Sequence, residues 1–170
     1  DTSPELVESL NAGKSHVDDL AASDVVAMLD AGFKATTESS AIAEADVIVI
    51  CVPTPLSTDG LPDLDSVLDA TRAIAEHLQT GSLVVLESTT YPGTTEDVVK
   101  PILEEVSGLK AGIDFALAYS PERTDPGNPH YGLRNTPKVV GGFTSECSDR
   151  AVEFYGKLVD TVVPTVGTRE

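Results

Sequence analysis

Three short stretches gather hydroxyls, prolines and a carboxylate directly after apolar runs. They are Cys51-Val52-Pro53-Thr54-Pro55, Glu87 to Thr95 (ESTTYPGTT) and Tyr119-Ser120-Pro121-Glu122-Arg123. A threonine hydroxyl both donates and accepts, so Thr54, Thr89 or Thr90 can orient a polar ligand or a water without adding charge. Glu122, framed by Pro121 and Arg123, can hold a water or move a proton. The proline-rich segments stop the runs that precede them. In open α/β sheets, ligands bind just beyond the carboxyl ends of the strands. The pattern therefore points to a small-molecule cleft built by strand-end loops.

The elements that must position these loops are readable. Asp46 introduces Val47 to Val52, an apolar run without alternation, as in a strand covered on both faces. Ser82 to Glu87 and Phe115 to Ala118 read as further strands, Lys138 to Gly142 as a strand or turn, and Val162-Val163 as a last strand. Between them, Leu64 to Leu78 carries a helical stripe of Leu64, Val67, Leu68, Thr71, Ile74, Ala75 and Leu78. A helix starting at Thr94 or Thr95 turns Val98, Val99, Ile102, Leu103 and Val106 inward, and another spans Ser145 to Leu158. Upstream, Pro4 to Leu10 reads as a helix capped by Ser3 and stopped by Asn11-Ala12-Gly13. Asp24 to Ala31 is a second helix, Phe33 to Thr36 a short strand, and Ser39 or Ser40 to Ala45 a brief helix. Ser120 to Pro137, with four prolines, is an ordered functional loop.

This alternation predicts an α/β, Rossmann-like fold: a mostly parallel sheet with helices on both faces. The 170 residues suit one domain, and 41% hydrophobic content is enough for a core. Eleven basic residues against 28 acidic give a net charge of −17, which argues against nucleic acid. It does not argue against a dinucleotide, whose pyrophosphate backbone amides can hold. The acid is spread along the chain as a solvated surface, compatible with a salt-rich cytoplasm and with ordinary acidic proteins alike. No apolar run is long enough to span a membrane, and Cys51 and Cys147 make no disulfide framework, so the expected setting is a reducing cytoplasm. No metal site is expected, because His16, His77 and His130 are scattered.

A dinucleotide-binding domain of this type normally opens with a strand, a glycine-rich turn and a helix. This sequence opens on Asp1 before a helix and contains no GxGxxG. The first strand and the glycine-rich turn are therefore expected to be missing, and the chain is expected to be an internal segment of a longer protein.

Five pieces in order, namely Asp1 with PELVESLNAGK (4–14), DVIVICVPTP (46–55), GLPDLD (60–65), ESTTYPGTT (87–95) and SPERTDPGN (120–128), resemble the UDP-glucose/GDP-mannose dehydrogenase family. The similarity is greater to its UDP-N-acetylglucosamine/UDP-N-acetylmannosamine 6-dehydrogenase branch. The resemblance implies that residues 1–170 are a partial N-terminal NAD-binding domain, with the central and C-terminal UDP-sugar-binding domains absent. It implies oxidation of the C6 alcohol of a UDP-sugar to a carboxylate, with two NAD+ reduced and a thioester on a cysteine outside this segment. Neither Cys51 nor Cys147 matches that cysteine, so the isolated segment is expected to be inactive. A homodimer or higher oligomer of the full-length protein is also implied.

By the same resemblance, Asp1 binds the adenosine ribose hydroxyls, and Val52, Pro53, Thr54, Ser88, Thr89 and Glu122 border NAD. Thr89 and Glu122 are the catalytic pair that orders the hydrolytic water. Arg123 is assigned to substrate or to bracing the loop. The glucose branch has a second glutamate where this chain has Pro126, a departure that favours the N-acetylhexosamine branch. Other readings are UDP-glucose 6-dehydrogenase, a 2-hydroxyacid or 6-phosphogluconate-type dehydrogenase with a lysine-centred later domain, and a non-catalytic nucleotide-binding or assembly module. A sugar-nucleotide epimerase needs Tyr-x-x-x-Lys, which is absent.

Overall fold

The computed structural model describes residues 1–17, 20–56, 60, 62–123, 128 and 130–170. The chain divides into two compact units, Asp1–Ala41 and Ile42–Glu170.

The first unit holds α1 (Pro4–Asn11) and α2 (Ala22–Asp30). Ser3 Oγ caps α1 by accepting the Leu6 N–H at 3.2 Å, and Pro4 sits in the first turn where its missing N–H costs nothing. Asp24 reaches back from the first turn of α2 to accept the Ala21 N–H. Phe33 to Thr36, expected as a strand, forms none. A strand needs a ladder partner, and this segment finds its partners in isolated groups. The Asn11 carboxamide donates to Ala35 O at 2.9 Å and accepts the Ala35 N–H at 3.0 Å, while the Asp1 backbone nitrogen donates to Thr36 O. One side-chain amide thus stands in for a neighbouring strand at a single residue.

The second unit is a Rossmann-like α/β layer structure. Its sheet has the order β1 (Val47–Ile50), β2 (Leu83–Leu86), β3 (Ala116–Tyr119), β4 (Lys138–Gly142) and β5 (Val162–Pro164). β1, β2 and β3 are parallel, β4 runs antiparallel to β3, and β5 is parallel to β4. Because β2 is buried on both faces, its side chains divide between two cores. Val84 and Leu86 join Ile48, Ile50 and Leu117 beneath α3 (Asp65–Ala75) and α4 (Lys100–Ser107). Leu83 and Val85 join Ala116, Ala118 and Val140 against Cys147, Ala151 and Tyr155 of α5 (Ser145–Tyr155). Helices on both faces of a mostly parallel sheet follow from that alternation.

A π-helical turn at Thr95–Val99 precedes α4. Pro101 explains it: proline offers no N–H to the carbonyl four residues back, and its ring crowds that carbonyl. The helix widens, and the Lys100 N–H bonds Thr95 O instead. Ahead of this turn, Gly93 adopts φ +97°, and its carbonyl accepts the N–H groups of both Glu96 and Asp97.

Candidate active-site cleft

The carboxyl ends of β1, β2 and β3 open onto one cleft of about 310 Å³. Its lining comes from three consecutive strand ends: Cys51, Val52, Pro53 and Thr54 after β1, Glu87, Ser88 and Thr89 after β2, and Glu122 after β3. The two neighbouring loops are tied together. Thr54 Oγ1 donates to Thr89 O at 2.7 Å, and the buried Ser88 hydroxyl donates to Val52 O at 2.7 Å. Ser120, fully buried, donates to Val139 O and fixes the start of the third loop against β4. Thr89 itself is exposed, and among the described residues its hydroxyl has no hydrogen-bond partner.

The cleft thus brings together Val52, Pro53, Thr54, Ser88, Thr89 and Glu122 from the sequence reading. Ser88 spends its proton inside the loop, which leaves only its lone pairs for a ligand. Asp1 belongs to the first unit, where its carboxylate accepts the Ser3 N–H at 2.9 Å. Arg123 is exposed and is not among the lining residues; its backbone N–H donates to Glu122 Oε1. Thr95 is buried in the π-helical turn rather than presented to the cleft. Pro126 and the rest of 124–127 lie outside the described residues.

The cleft wall continues into a polar cluster around Lys138, Glu87 and Tyr155 to which sequence reasoning gave no role. Because β4 runs antiparallel to β3, its first residue, Lys138, lies at the edge where β1 to β3 end. The Lys138 side chain is only 5% exposed, and its ammonium is 3.2 Å from Glu87 Oε1 and 3.4 Å from Glu122 Oε2. It also lies over the Tyr155 ring, 5.3 Å from the centroid. The Tyr155 hydroxyl donates to Glu87 Oε1, and the Cys51 thiol donates to Glu87 Oε2 at 3.6 Å. A buried ammonium is tolerated only when paired and hydrogen-bonded, and this one has two carboxylates and an aromatic face. Two sequence signals existed: a lysine opening an otherwise apolar run, and a glutamate closing one.

The cluster sets the state of its neutral members. Desolvation by the surrounding chain, then the adjoining Glu87 carboxylate, push the Cys51 thiol up to about 12, although part of the residue reaches solvent. The same two causes push the Tyr155 phenol up. A nucleophilic cysteine needs the opposite shift, so Cys51 is chemically quiet at neutral pH.

Residues 1–159 match the UDP-glucose/GDP-mannose dehydrogenase family, NAD binding domain. The chain belongs to this family. Among relatives, it is 38% identical over 126 residues to the UDP-N-acetyl-D-glucosamine 6-dehydrogenase of Salmonella typhi, covering 74% of this chain and 30% of that protein. It is 34% identical over 163 residues to the UDP-N-acetyl-D-mannosamine dehydrogenase of Pyrococcus horikoshii, covering 94% and 38%. The crystal structure of NDP-N-acetyl-D-galactosaminuronic acid dehydrogenase from Methanosarcina mazei Go1 superposes with a TM-score of 0.89 at 38% identity, covering 96% of this chain and 36% of that one. The chain thus spans about a third of the length of these family members. The matched part is the NAD-binding one, in keeping with a cleft at the strand carboxyl ends.

Proposed function

We propose that this chain forms the cofactor-binding part of a longer NAD-dependent enzyme that oxidises the C6 alcohol of a UDP-N-acetylhexosamine to the uronic acid, reducing two NAD+. The observation that carries this reading is the convergence of the Thr89 hydroxyl, which has no partner among the described residues, and the Glu122 carboxylate on one cleft at the strand carboxyl ends. The names of the relatives, UDP-N-acetyl-D-glucosamine 6-dehydrogenase and UDP-N-acetyl-D-mannosamine dehydrogenase, support the substrate class.

The donor set fits NAD. The cleft offers apolar atoms from Val52 and Pro53 to a flat ring, and at Thr89 a hydroxyl with no partner among the described residues. The cluster of two carboxylates and one ammonium carries one net negative charge beside it, which suits the cationic ring of NAD+. Val52, Pro53, Thr54, Ser88, Thr89 and Glu122 would hold the cofactor. When bound, NAD supplies the hydride acceptor. Thr89 orients a water by donating and accepting at once. Glu122 takes a proton from that water as its oxygen bonds the C6 acyl carbon of the thioester and the thiolate of the cysteine outside this segment leaves; the ties Thr54–Thr89 and Ser88–Val52 fix the Thr89 loop, and Ser120–Val139 fixes the start of the Glu122 loop. Arg123 contacts substrate or braces the Glu122 loop. In this reading the protein works as a homodimer or larger assembly in the cytoplasm. Among the described residues no helix is long and apolar enough to cross a membrane.

The test is NADH formation by the full-length protein with UDP-N-acetylmannosamine, UDP-N-acetylglucosamine and UDP-glucose in parallel. Two NADH per uronic acid are expected with one of the N-acetylated sugars. Glu122→Gln and Thr89→Val should each lower kcat by about 10²-fold or more, the range of a positioned acid–base group. The reading fails if no UDP-sugar reduces NAD+, or if Glu122→Gln turns over at the wild-type rate.

A further inference from the structure

We infer that Lys138 is a positioning residue for Glu122: a buried ammonium that sets where the catalytic carboxylate stands and keeps it aimed across the cleft. This rests on the reading of Glu122 given above. Three observations carry it. Lys138 is 5% exposed, whereas Glu122 is 42% exposed, so the ammonium is the fixed member of the pair and the carboxylate the presented one. Lys138 is itself immobilised from the other side by Glu87 at 3.2 Å and by the Tyr155 ring, with Tyr155 in turn donating to Glu87. The strand reversal at β4 delivers this ammonium to the carboxyl edge of β1 to β3, where a β4 parallel to β3 would carry it to the opposite edge.

A glutamate on a long loop loses side-chain freedom when it is held, and holding it in advance spares that loss during reaction. Of the two Glu122 oxygens, Oε2 faces Lys138 and Oε1 accepts the Arg123 N–H. The carboxylate plane is therefore fixed by contacts at both oxygens rather than by the loop backbone alone. Glu87 and Tyr155 hold the ammonium that holds the carboxylate. Misplacement of a reacting group by about 1 Å costs roughly 10²-fold in rate, which sets the scale of the effect.

The test is a double-mutant cycle in the full-length protein. Lys138→Met removes the ammonium and keeps the aliphatic stem. It should lower kcat about 10- to 100-fold while the KM for NAD+ moves less than about twofold. Lys138→Arg, which keeps a cation, should recover at least about fivefold of that loss. In the Glu122→Gln background, Lys138→Met should cost less than about a further twofold, because the group it positions is gone. A loss as large in that background as in the wild type would overturn the inference, as would an Arg variant no better than Met. If Met gives no soluble protein, Lys138→Gln takes its place.

Melting temperatures of the wild type, the two single variants and the double variant separate the two ideas. If the wild type reduces no NAD+ with any UDP-sugar, the functional reading falls. The Lys138–Glu122 coupling is then read from the melts alone. Lys138→Met must shift the melting temperature more when Glu122 is intact than in the Glu122→Gln background, and equal shifts would end the proposal.

Discussion

Replacing Glu87 by glutamine tests the cluster in the cleft wall in the simplest way. The change keeps the shape and removes one negative charge from the centre of the network. Lys138 would lose its partner at 3.2 Å and keep Glu122 at 3.4 Å. Leaving a buried charge with no partner costs about 3–5 kcal/mol. Here one carboxylate survives, but it is 42% exposed and partly screened by solvent, so it replaces only part of what is lost. The glutamine oxygen still accepts from Tyr155. About 2 kcal/mol of destabilisation follows, roughly half the cost of a fully broken buried pair. For a chain of this size that lowers Tm by about 4–8 °C. Urea unfolding followed by circular dichroism measures it directly. Because Lys138 and Glu87 are 5% and 14% exposed, the loss should persist at about 1 M salt, where surface pairs are screened within roughly 3 Å. Lys138→Met added to Glu87→Gln should make matters no worse, since the stranded charge is gone. A Glu87→Gln variant within about 0.5 kcal/mol of wild type at low salt would refute the view that this pair is buried and coupled, since that is the ordinary scatter of surface substitutions.

The Cys51 thiol, held up to about 12 against an ordinary 9, should react with iodoacetamide at pH 8 at least about tenfold more slowly than a free thiol, and Glu87→Gln should speed it. Cys51 and Tyr155 stay neutral in the folded chain while their unfolded counterparts ionise first, so their contribution to stability is intact below pH 9 and declines as pH rises toward 12. Cys51→Ala and Tyr155→Phe should each flatten that alkaline fall in urea titrations; an unchanged slope would count against the cause given. In the first unit, Asn11→Ala removes both bonds to Ala35, which should cost about 1–2 kcal/mol and speed exchange of the Ala35 amide relative to that of Val25.

Strands and helices of the second unit are legible in sequence because both signals are local. Leu83 to Leu86 is apolar without alternation since both faces of the sheet are covered there, and Val47 to Ile50 at the end of the sheet is buried on one face and partly buried on the other. The stripe from Val67 through Ile74 is periodic since one face of α3 is buried. Proline and threonine clusters at the ends of these runs mark the cleft for the same reason: a loop at a strand end needs residues that stop pairing. Phe33 to Thr36 misleads because strand character depends on a partner, and composition says nothing about whether one is near. Lys138 escaped notice because its meaning depends on direction. The residues Lys138 to Gly142 read as a strand or turn whichever way they run, but only the antiparallel pairing with β3 puts the lysine among Glu87, Glu122 and Tyr155.

The same cluster has a kinetic consequence. Its members come from five places between Cys51 and Tyr155, and the Tyr155–Glu87 bond alone closes 68 residues of chain. Contacts of such sequence separation form late, after the closure entropy of the intervening loops has been met. The pocket can therefore mature only when β4 has docked and α5 has packed on it. Substitutions within the cluster should then act mainly on the rate at which the finished molecule comes apart, leaving the rate of its assembly little changed.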